Sequence, residues 1–293
     1  MQSILDLIGN TPLVKTNHLV KNKNVTLLLK LEGNNPGGSV KDRAAYNMIK
    51  CALDSGEIHK NTKLIEATSG NTGIALAMIS SLFGLKIELV MPENSTKERT
   101  QTMRAYGAKV TLTSAKSGIE GSIDYVNNKI KTEGYIMLNQ FANENNWKVH
   151  YKTTGPEIWQ DTYKKITHFV SAMGTTGTIM GVSTFLKEQN PKIQIIGAQP
   201  SDGSKIPGIR KWSKEYLPKI FNPTKVDTIL EVSEKEAREM SKFLAKEEGI
   251  FAGMSSGGAV FVAVKIANQL KKGTVVAIIC DRGDRYLSSD LFE

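Results

Sequence analysis

Cysteine is nearly absent from this 293-residue chain: with only Cys51 and Cys280, no disulfide framework can be built, and no Cys-x-x-Cys or zinc-type spacing occurs. Histidine is scarce too. His18, His59, His150 and His168 stand singly, none three or four residues from another beside a carboxylate, so no metal site is expected. No run approaches the roughly 18 consecutive apolar residues a membrane span needs. The stretch Ile74 to Ile79 soon meets Ser80, Ser81 and Gly84. The start, Met1-Gln2-Ser3-Ile4-Leu5-Asp6, lacks the basic head and long apolar stretch of a secretory signal, and a cytoplasmic chain is expected. Repeats and low-complexity tracts are missing as well.

What is present suits a soluble globular protein: 40% hydrophobic and 23% charged residues, in a chain long enough for about two domains. The net charge of +9 raises nucleic acid as a partner. The basic pieces are short, however (Lys164-Lys165, Lys271-Lys272), and other stretches mix signs, as in Glu234-Lys235-Glu236-Ala237-Arg238-Glu239. This pattern describes a solvated surface and predicts neither a nucleic-acid nor a membrane partner. It also leaves room for positive potential to gather small anions into a cleft.

Short β-branched runs alternate with helical periodicity, the signature of parallel βαβ units. Strands are expected at 63–67, 86–90, 109–113 and 135–138, with a helix over about 71–83 and another beginning at Ser95, whose Ser95-Thr96-Lys97-Glu98 fits a capping box. A second block repeats the logic with strands at 168–171, 193–196 and 274–279, a helix after Gly177 and a capped helix from Ser233. The fold class is therefore α/β with two lobes, and the polar, Asn-rich segment 141–151 is the expected crossover.

Open parallel sheets bind ligands at the carboxyl ends of their strands, and four such junctions stand out. Gly174-Thr175-Thr176-Gly177-Thr178 combines close-approach glycines, hydroxyls and a helix start, a cradle for an anion without the Lys-Ser/Thr of a nucleotide P-loop. Thr68-Ser69-Gly70-Asn71-Thr72-Gly73 offers a second anion site suited to a carboxylate. Taken alone, each also reads as a glycine turn with a Ser/Thr cap. The third, Pro36-Gly37-Gly38-Ser39-Val40-Lys41, sets a lysine at a helix N-terminus, where the dipole disfavours its charge and makes a neutral, nucleophilic amine more accessible; by position alone it also reads as an ordinary solvated surface lysine. At the fourth, Gly253-Met254-Ser255-Ser256-Gly257-Gly258, Ser255 either hydrogen-bonds a ligand ring or, with Ser256, caps the helix.

As an ordered set spanning Ile8-Gly9-Asn10-Thr11-Pro12 to Asp281-Arg282-Gly283-Asp284-Arg285-Tyr286, these motifs resemble the fold-type II (tryptophan synthase β-like) pyridoxal-phosphate enzymes, and within them the O-acetylserine sulfhydrylases or cysteine synthases. The segment Ile206-Pro207-Gly208-Ile209-Arg210 with Trp212, and Cys280-Asp281 near the C-terminus, is similar to the B type, which also accepts thiosulfate. Lys211 stands where that type commonly has a second arginine, keeping the charge and losing the bidentate fork. The resemblance implies two open twisted-sheet α/β lobes with pyridoxal 5'-phosphate in the cleft between them: residues 38–143 as a smaller, mobile, substrate-carboxylate lobe, and 1–37 with 144–293 as the larger, cofactor-phosphate lobe.

By the same resemblance, Lys41 holds the cofactor covalently and then serves as general base, residues Gly174, Thr175, Thr176, Gly177 and Thr178 cradle its phosphate, Asn71 meets its ring hydroxyl and Ser255 its ring nitrogen. Thr68, Ser69, Asn71 and Thr72, with Gln140 nearby, receive the substrate carboxylate, while Arg210, Cys280 and Asp281 line the sulfur-donor side. The implied reaction is β-replacement: O-acetylserine loses acetate, and sulfide or thiosulfate adds to give cysteine or S-sulfocysteine. A homodimer is implied as well. The alternatives are a serine/threonine dehydratase, a cystathionine β-synthase, and a non-catalytic phosphate-ligand-binding module or scaffold.

Overall fold

The computed structural model describes residues 3–68 and 70–293. Nine strands form two sheets among them: a six-stranded sheet of order β1-β2-β9-β6-β7-β8 and a three-stranded sheet of order β3-β4-β5. The chain begins the larger sheet with β1 (Leu13–Lys15) and β2 (Val25–Leu31), then runs through α1 (Lys41–Asp54) into the smaller one. There β3 (Lys63–Ala67), β4 (Lys86–Pro92) and β5 (Lys109–Thr113) pair in parallel, joined by α2 (Asn71–Leu82) and α3 (Lys97–Ala105). After α4 (Gly118–Glu133), α5 (Glu144–Val149) and α6 (Gly155–Asp161), the chain returns to the larger sheet with β6 (His168–Ala172), α7 (Gly177–Gln189) and β7 (Gln194–Pro200). It finishes with β8 (Thr228–Val232), α8 (Glu234–Glu247), α9 (Met254–Ala267) and β9 (Gly273–Ile279).

The two sheets are made by different physical means from the same pattern. In the larger, β9 lies between β2 and β6, and its residues Val275, Val276, Ala277, Ile278 and Ile279 are all buried, as a central parallel strand covered on both faces requires. In the smaller, α2, apolar from Ile74 to Ile79, buries Ile74, Ala75, Leu76 and Ile79 in the same cluster as Leu64 and Leu89. Among the described residues, no helix is long and apolar enough to cross a membrane.

Two local expectations need correction, and a third gains detail. Ser95 does not cap α3: the cap position is Thr96, Ser95 Oγ donates to the Pro92 carbonyl (2.8 Å), and the Glu98 carboxylate is taken by Ser288 N and Oγ (both 2.6 Å). The 135–138 strand reduces to a bridge between Leu64 and Ile136, and the 141–151 crossover contains helix α5 and the start of a π-turn at His150–Thr154. The cap at Ser233 forms as expected, with Ser233 and Glu236 satisfying each other's backbone amides.

Candidate active site

Helix α1 starts at Lys41 because the preceding turn is pinned on both sides. Gly38 adopts φ +82, a left-handed conformation that favours glycine, and a Cβ there would meet the Arg285 guanidinium. Val40 N donates to the Cys280 carbonyl (2.9 Å) and Ser39 bridges Asp281, so the lysine is stitched to the end of β9. Two residues on, the buried Arg43 guanidinium spans Glu32 (Nε to Oε2 and Nη2 to Oε1, both 2.7 Å) and Glu157 (Nη1 to Oε1 2.6 Å), locking α1 onto the end of β2 and onto α6. Such bidentate pairs fix geometry as well as charge. The part-buried Lys41 amine forms no salt bridge among the described residues; burial pushes its pKa below the ordinary lysine value, and neighbouring Cys280, Asp281 and Glu32 only partly offset this.

Across the site, β6 ends and α7 begins at the glycine-threonine turn. The first-turn amides of α7 have no intrahelical acceptors. Thr176, the cap residue, is held at φ 71, an uncommon conformation for a non-glycine residue, and its buried Oγ1 has no hydrogen-bond partner. The turn is braced from behind. Asn146 Nδ2 donates to Thr175 Oγ1 (3.1 Å), and a Cβ on Gly177 would collide with the Asn146 amide. Buried His150 pairs Nδ1 with Thr154 Oγ1 (2.8 Å) and faces Thr178 Oγ1 with Nε2 (3.4 Å). Burial, then the charges of Arg43 and Lys41, push its pKa well below the ordinary histidine value, so it stays neutral.

The loop after β3 faces this turn. Thr68 is buried, Ser69 lies outside the described residues, and Gly70 precedes the first turn of α2 without any side-chain cap. Thr72 Oγ1 donates to Gln140 Oε1 (2.6 Å), and Asn146 Nδ2 donates to the Gln140 carbonyl (2.6 Å). A continuous chain Thr72–Gln140–Asn146–Thr175 therefore joins the two anion-ready loops. Asn71 donates through Nδ2 to Asp281 Oδ2 (2.7 Å) and accepts from Arg285 Nη1, while Tyr286 OH also donates to Asp281 Oδ2 (2.7 Å).

Ser255 sits in the first turn of α9, buried beside the Cys280 thiol and the backbone of Gly208. Neither serine caps that helix: the cap position is Gly253, and Ser256 Oγ instead accepts from Cys280 N (2.9 Å). Burial, against the pull of nearby Lys41, pushes the Cys280 thiol up to about 11. The loop carrying Arg210 is sewn to the glycine-threonine turn by Arg210 N to the Met173 carbonyl (3.0 Å) and Trp212 Nε1 to the Gly174 carbonyl (2.8 Å). A Cβ on Gly174 would sit 2.5 Å from the Gly208 carbonyl, so only glycine permits this approach. A cleft of about 660 Å³ opens here, walled by Asn71, Arg99 and Tyr286 on one side and by the 200–211 loop on the other. Lys41 and the Gly174–Thr178 turn lie outside its wall.

The pyridoxal-phosphate dependent enzyme family matches residues 4–281 of this chain. The sequence is 55% identical over 292 residues to cysteine synthase B of Pseudomonas aeruginosa, covering 99% of this chain and 97% of that protein. It is 53% identical to cysteine synthase B of Escherichia coli, covering 100% of this chain and 96% of that one. The chain belongs to the pyridoxal-phosphate-dependent enzymes, in their cysteine synthase branch. Among solved structures, the cysteine synthase of Entamoeba histolytica superposes with a TM-score of 0.94 at 37% identity, covering 100% of this chain and 90% of that one.

The fold is that of the fold-type II pyridoxal-phosphate enzymes, as the motifs predict, and the site fits the family's cofactor. An amine without a salt bridge, an orphaned buried hydroxyl at Thr176 and a helix start with free amides make a complementary set for an aldehyde bearing a phosphate. Of the expected site residues, Lys41, Thr68, Asn71, Thr72, Gly174 to Thr178 and Ser255 fall on the strand-to-helix junctions, Gln140 on the hydrogen-bonded chain linking two of them, Cys280 and Asp281 at the end of β9 and Arg210 on the 200–211 loop, while Ser69 lies outside the described residues. Three side chains that the sequence did not single out join them. Asn146 was hidden in a polar stretch read only as a crossover. His150 was one of four isolated histidines. Arg99 stood one residue beyond the supposed capping box, Ser95 to Glu98.

Proposed function

We propose that the enzyme replaces the acetate of O-acetylserine with a sulfur nucleophile, sulfide or thiosulfate, giving cysteine or S-sulfocysteine plus acetate. The observation that carries this reading is the Lys41 amine, lowered in pKa and set at a helix start pinned to the end of β9. Bound pyridoxal 5'-phosphate supplies an electron sink that acidifies the substrate Cα–H and lets the Cβ acetate depart. Lys41 Nζ would hold the cofactor covalently and, when its amine is free, would take the substrate Cα proton. The amides and hydroxyls of Gly174, Thr175, Thr176, Gly177 and Thr178 hold the phosphate. Thr68, Ser69, Asn71 and Thr72, with Gln140 behind them, orient the substrate carboxylate, and Asn71 also meets the ring hydroxyl.

Ser255 Oγ would face the ring nitrogen of the bound cofactor. A neutral hydroxyl does not enforce protonation there as a carboxylate would, which favours elimination over transamination. Arg210 attracts the sulfur anion, with Cys280 and Asp281 lining its approach. In this reading residues 38–143 move as a unit toward the larger lobe, formed by 1–37 and 144–293, when the carboxylate binds, excluding water from the reacting carbon. The working form is a homodimer acting in the cytoplasm.

The test feeds the purified holoenzyme O-acetylserine with sulfide or with thiosulfate and identifies products by mass spectrometry. Cysteine and S-sulfocysteine are expected, respectively. Pyruvate as the main product, or turnover with homocysteine in preference to both donors, overturns the reading. Borohydride reduction followed by peptide mapping should place the cofactor label on Lys41. Lys41→Ala should lose both the yellow colour and at least about a hundredfold in rate, the scale of a lost general base.

A further inference from the structure

Two arginines reach the cleft from its two walls, each held by an aromatic face and not by a carboxylate. Arg99, in the first turn of α3, is only 9% exposed yet lines the cleft beside Asn71 and Tyr286. It forms no salt bridge among the described residues, its Nε lacks a hydrogen-bond partner, and its guanidinium carbon lies 5.0 Å from the centre of the Tyr286 ring. Arg210, on the other wall, is exposed, likewise forms no salt bridge among the described residues, and stands 5.5 Å from the centre of the Trp212 ring. A ring face attracts a guanidinium through its quadrupole; Arg99 also reaches the Tyr286 hydroxyl, but its Nε keeps an unpartnered N–H and the Arg210 fork is open, so both side chains can still donate to an anion.

Lys211, the basic neighbour of Arg210, is in a different state. Its ammonium is bound to Asp202 (2.6 Å) and Glu231 (2.7 Å), which cancel its charge locally. Arg99 is fixed in place from the outside: Glu98 accepts from Ser288 N and Oγ, and Thr96 Oγ1 donates to the Arg285 carbonyl (3.5 Å), strapping α3 to the segment that carries Tyr286. A buried, unpaired guanidinium is costly to maintain, and a cleft that maintains one is built for an anion to complete it.

Resting on the donor reading above, we propose that Arg99, and not Lys211, is the second anion-binding residue of this cleft, and that Arg99 and Arg210 together receive thiosulfate through its sulfonate oxygens. The clamp leaves the terminal sulfur free to attack Cβ. Sulfide carries no oxygen acceptors and has nothing for a guanidinium fork to grip, so the pair acts as a donor-specificity element.

The experiment uses the holoenzyme. Thiosulfate affinity is measured by calorimetry, and kcat/KM is measured with thiosulfate and with sulfide, O-acetylserine being saturating. Arg99→Gln should weaken thiosulfate binding about tenfold and lower the thiosulfate-to-sulfide ratio of kcat/KM by the same factor, the scale of one lost charge-assisted contact. Arg99→Lys keeps the charge without the planar fork and should lower the ratio about threefold. Lys211→Met should change it less than twofold. Equal losses with both donors in Arg99→Gln would mean that Arg99 acts only through Tyr286 and Asp281, and would overturn the proposal, as would a loss in Lys211→Met larger than that in Arg99→Gln. If only Arg99→Lys folds with its cofactor, an unchanged ratio overturns it. If the wild type turns over sulfide and not thiosulfate, the donor reading fails by itself. The arginine assignment is then decided by calorimetry, and unchanged thiosulfate affinity in Arg99→Gln sinks it.

Discussion

Replacing Glu66 by glutamine should stabilise the enzyme, and the gain should grow with pH. Glu66 is buried at the end of β3, and burial raises its pKa to about 8 against the opposing effect of a hydrogen bond from the Asn139 backbone. An unfolded glutamate titrates near about 4.3. Between those two values the folded chain holds a proton that the unfolded chain has released, so folding stability falls with rising pH by about 1.4 kcal/mol per unit. The stabilising effect is complete below about pH 4, and its loss is complete only above the folded value of about 8. Glutamine keeps the acceptor for Asn139 and does not titrate. The stability gap between Glu66→Gln and the wild type should therefore widen by about 2.7 kcal/mol from about pH 5.5 to about pH 7.5. Converted at roughly 2–4 °C per kcal/mol, this is on the order of 5–10 °C in thermal midpoint. Thermal unfolding of both holoenzymes at several pH values reads it directly. A gap that does not change with pH, or one that narrows as pH rises, refutes the assignment of a neutral carboxyl at this position.

Two further predictions come from groups near the lysine. Glu32→Gln replaces one of the two carboxylates that grip the Arg43 guanidinium, 1% exposed, leaving Glu157 in place, and should cost about 1.5–3 kcal/mol in urea unfolding, whereas a loss below about 0.5 kcal/mol would show the Glu32 contact to be dispensable. With its thiol at about 11, Cys280 should be about one part in a thousand thiolate at pH 8, so iodoacetamide treatment followed by mass mapping should leave it unmodified; rapid alkylation there would contradict the burial argument.

Much of the architecture was readable because parallel α/β units write themselves locally. The runs at 63–67, 86–90 and 109–113 carry β-branched and apolar residues over a short span, and each became a strand. The four candidate junctions were readable for a related reason: glycine and hydroxyl residues between a strand and a helix mark a tight turn, and their occurrence as an ordered set singled them out from ordinary capped turns. Where two local signals competed for one partner, reading failed. Ser95 and Glu98 have the spacing of a cap, but Glu98 gains more from two donors on Ser288, a residue 190 positions away. Arg99 could not be found at all from its neighbours in sequence, since its significance lies in lacking a salt bridge and facing Tyr286, facts that exist only once α3 and the C-terminal segment meet.

The same distinction explains how the site can act as one object. Its anion-ready loops belong to different sheets, yet Thr72, Gln140, Asn146 and Thr175 form an unbroken line of hydrogen bonds between them. Each bond is worth only about 0.5–1.5 kcal/mol net, but every atom in the line is buried, where an unpaired polar group costs about 1–3 kcal/mol. Filling one loop with a carboxylate thus cannot shift Thr72 without either carrying Gln140 and Asn146 along or paying that penalty. The loop proposed to hold the substrate and the turn proposed to hold the cofactor phosphate are coupled by desolvation, with Asn146 as the joint: its Nδ2 donates both to the Gln140 carbonyl and to Thr175 Oγ1, and its side chain fills the space that a residue larger than glycine would occupy at position 177.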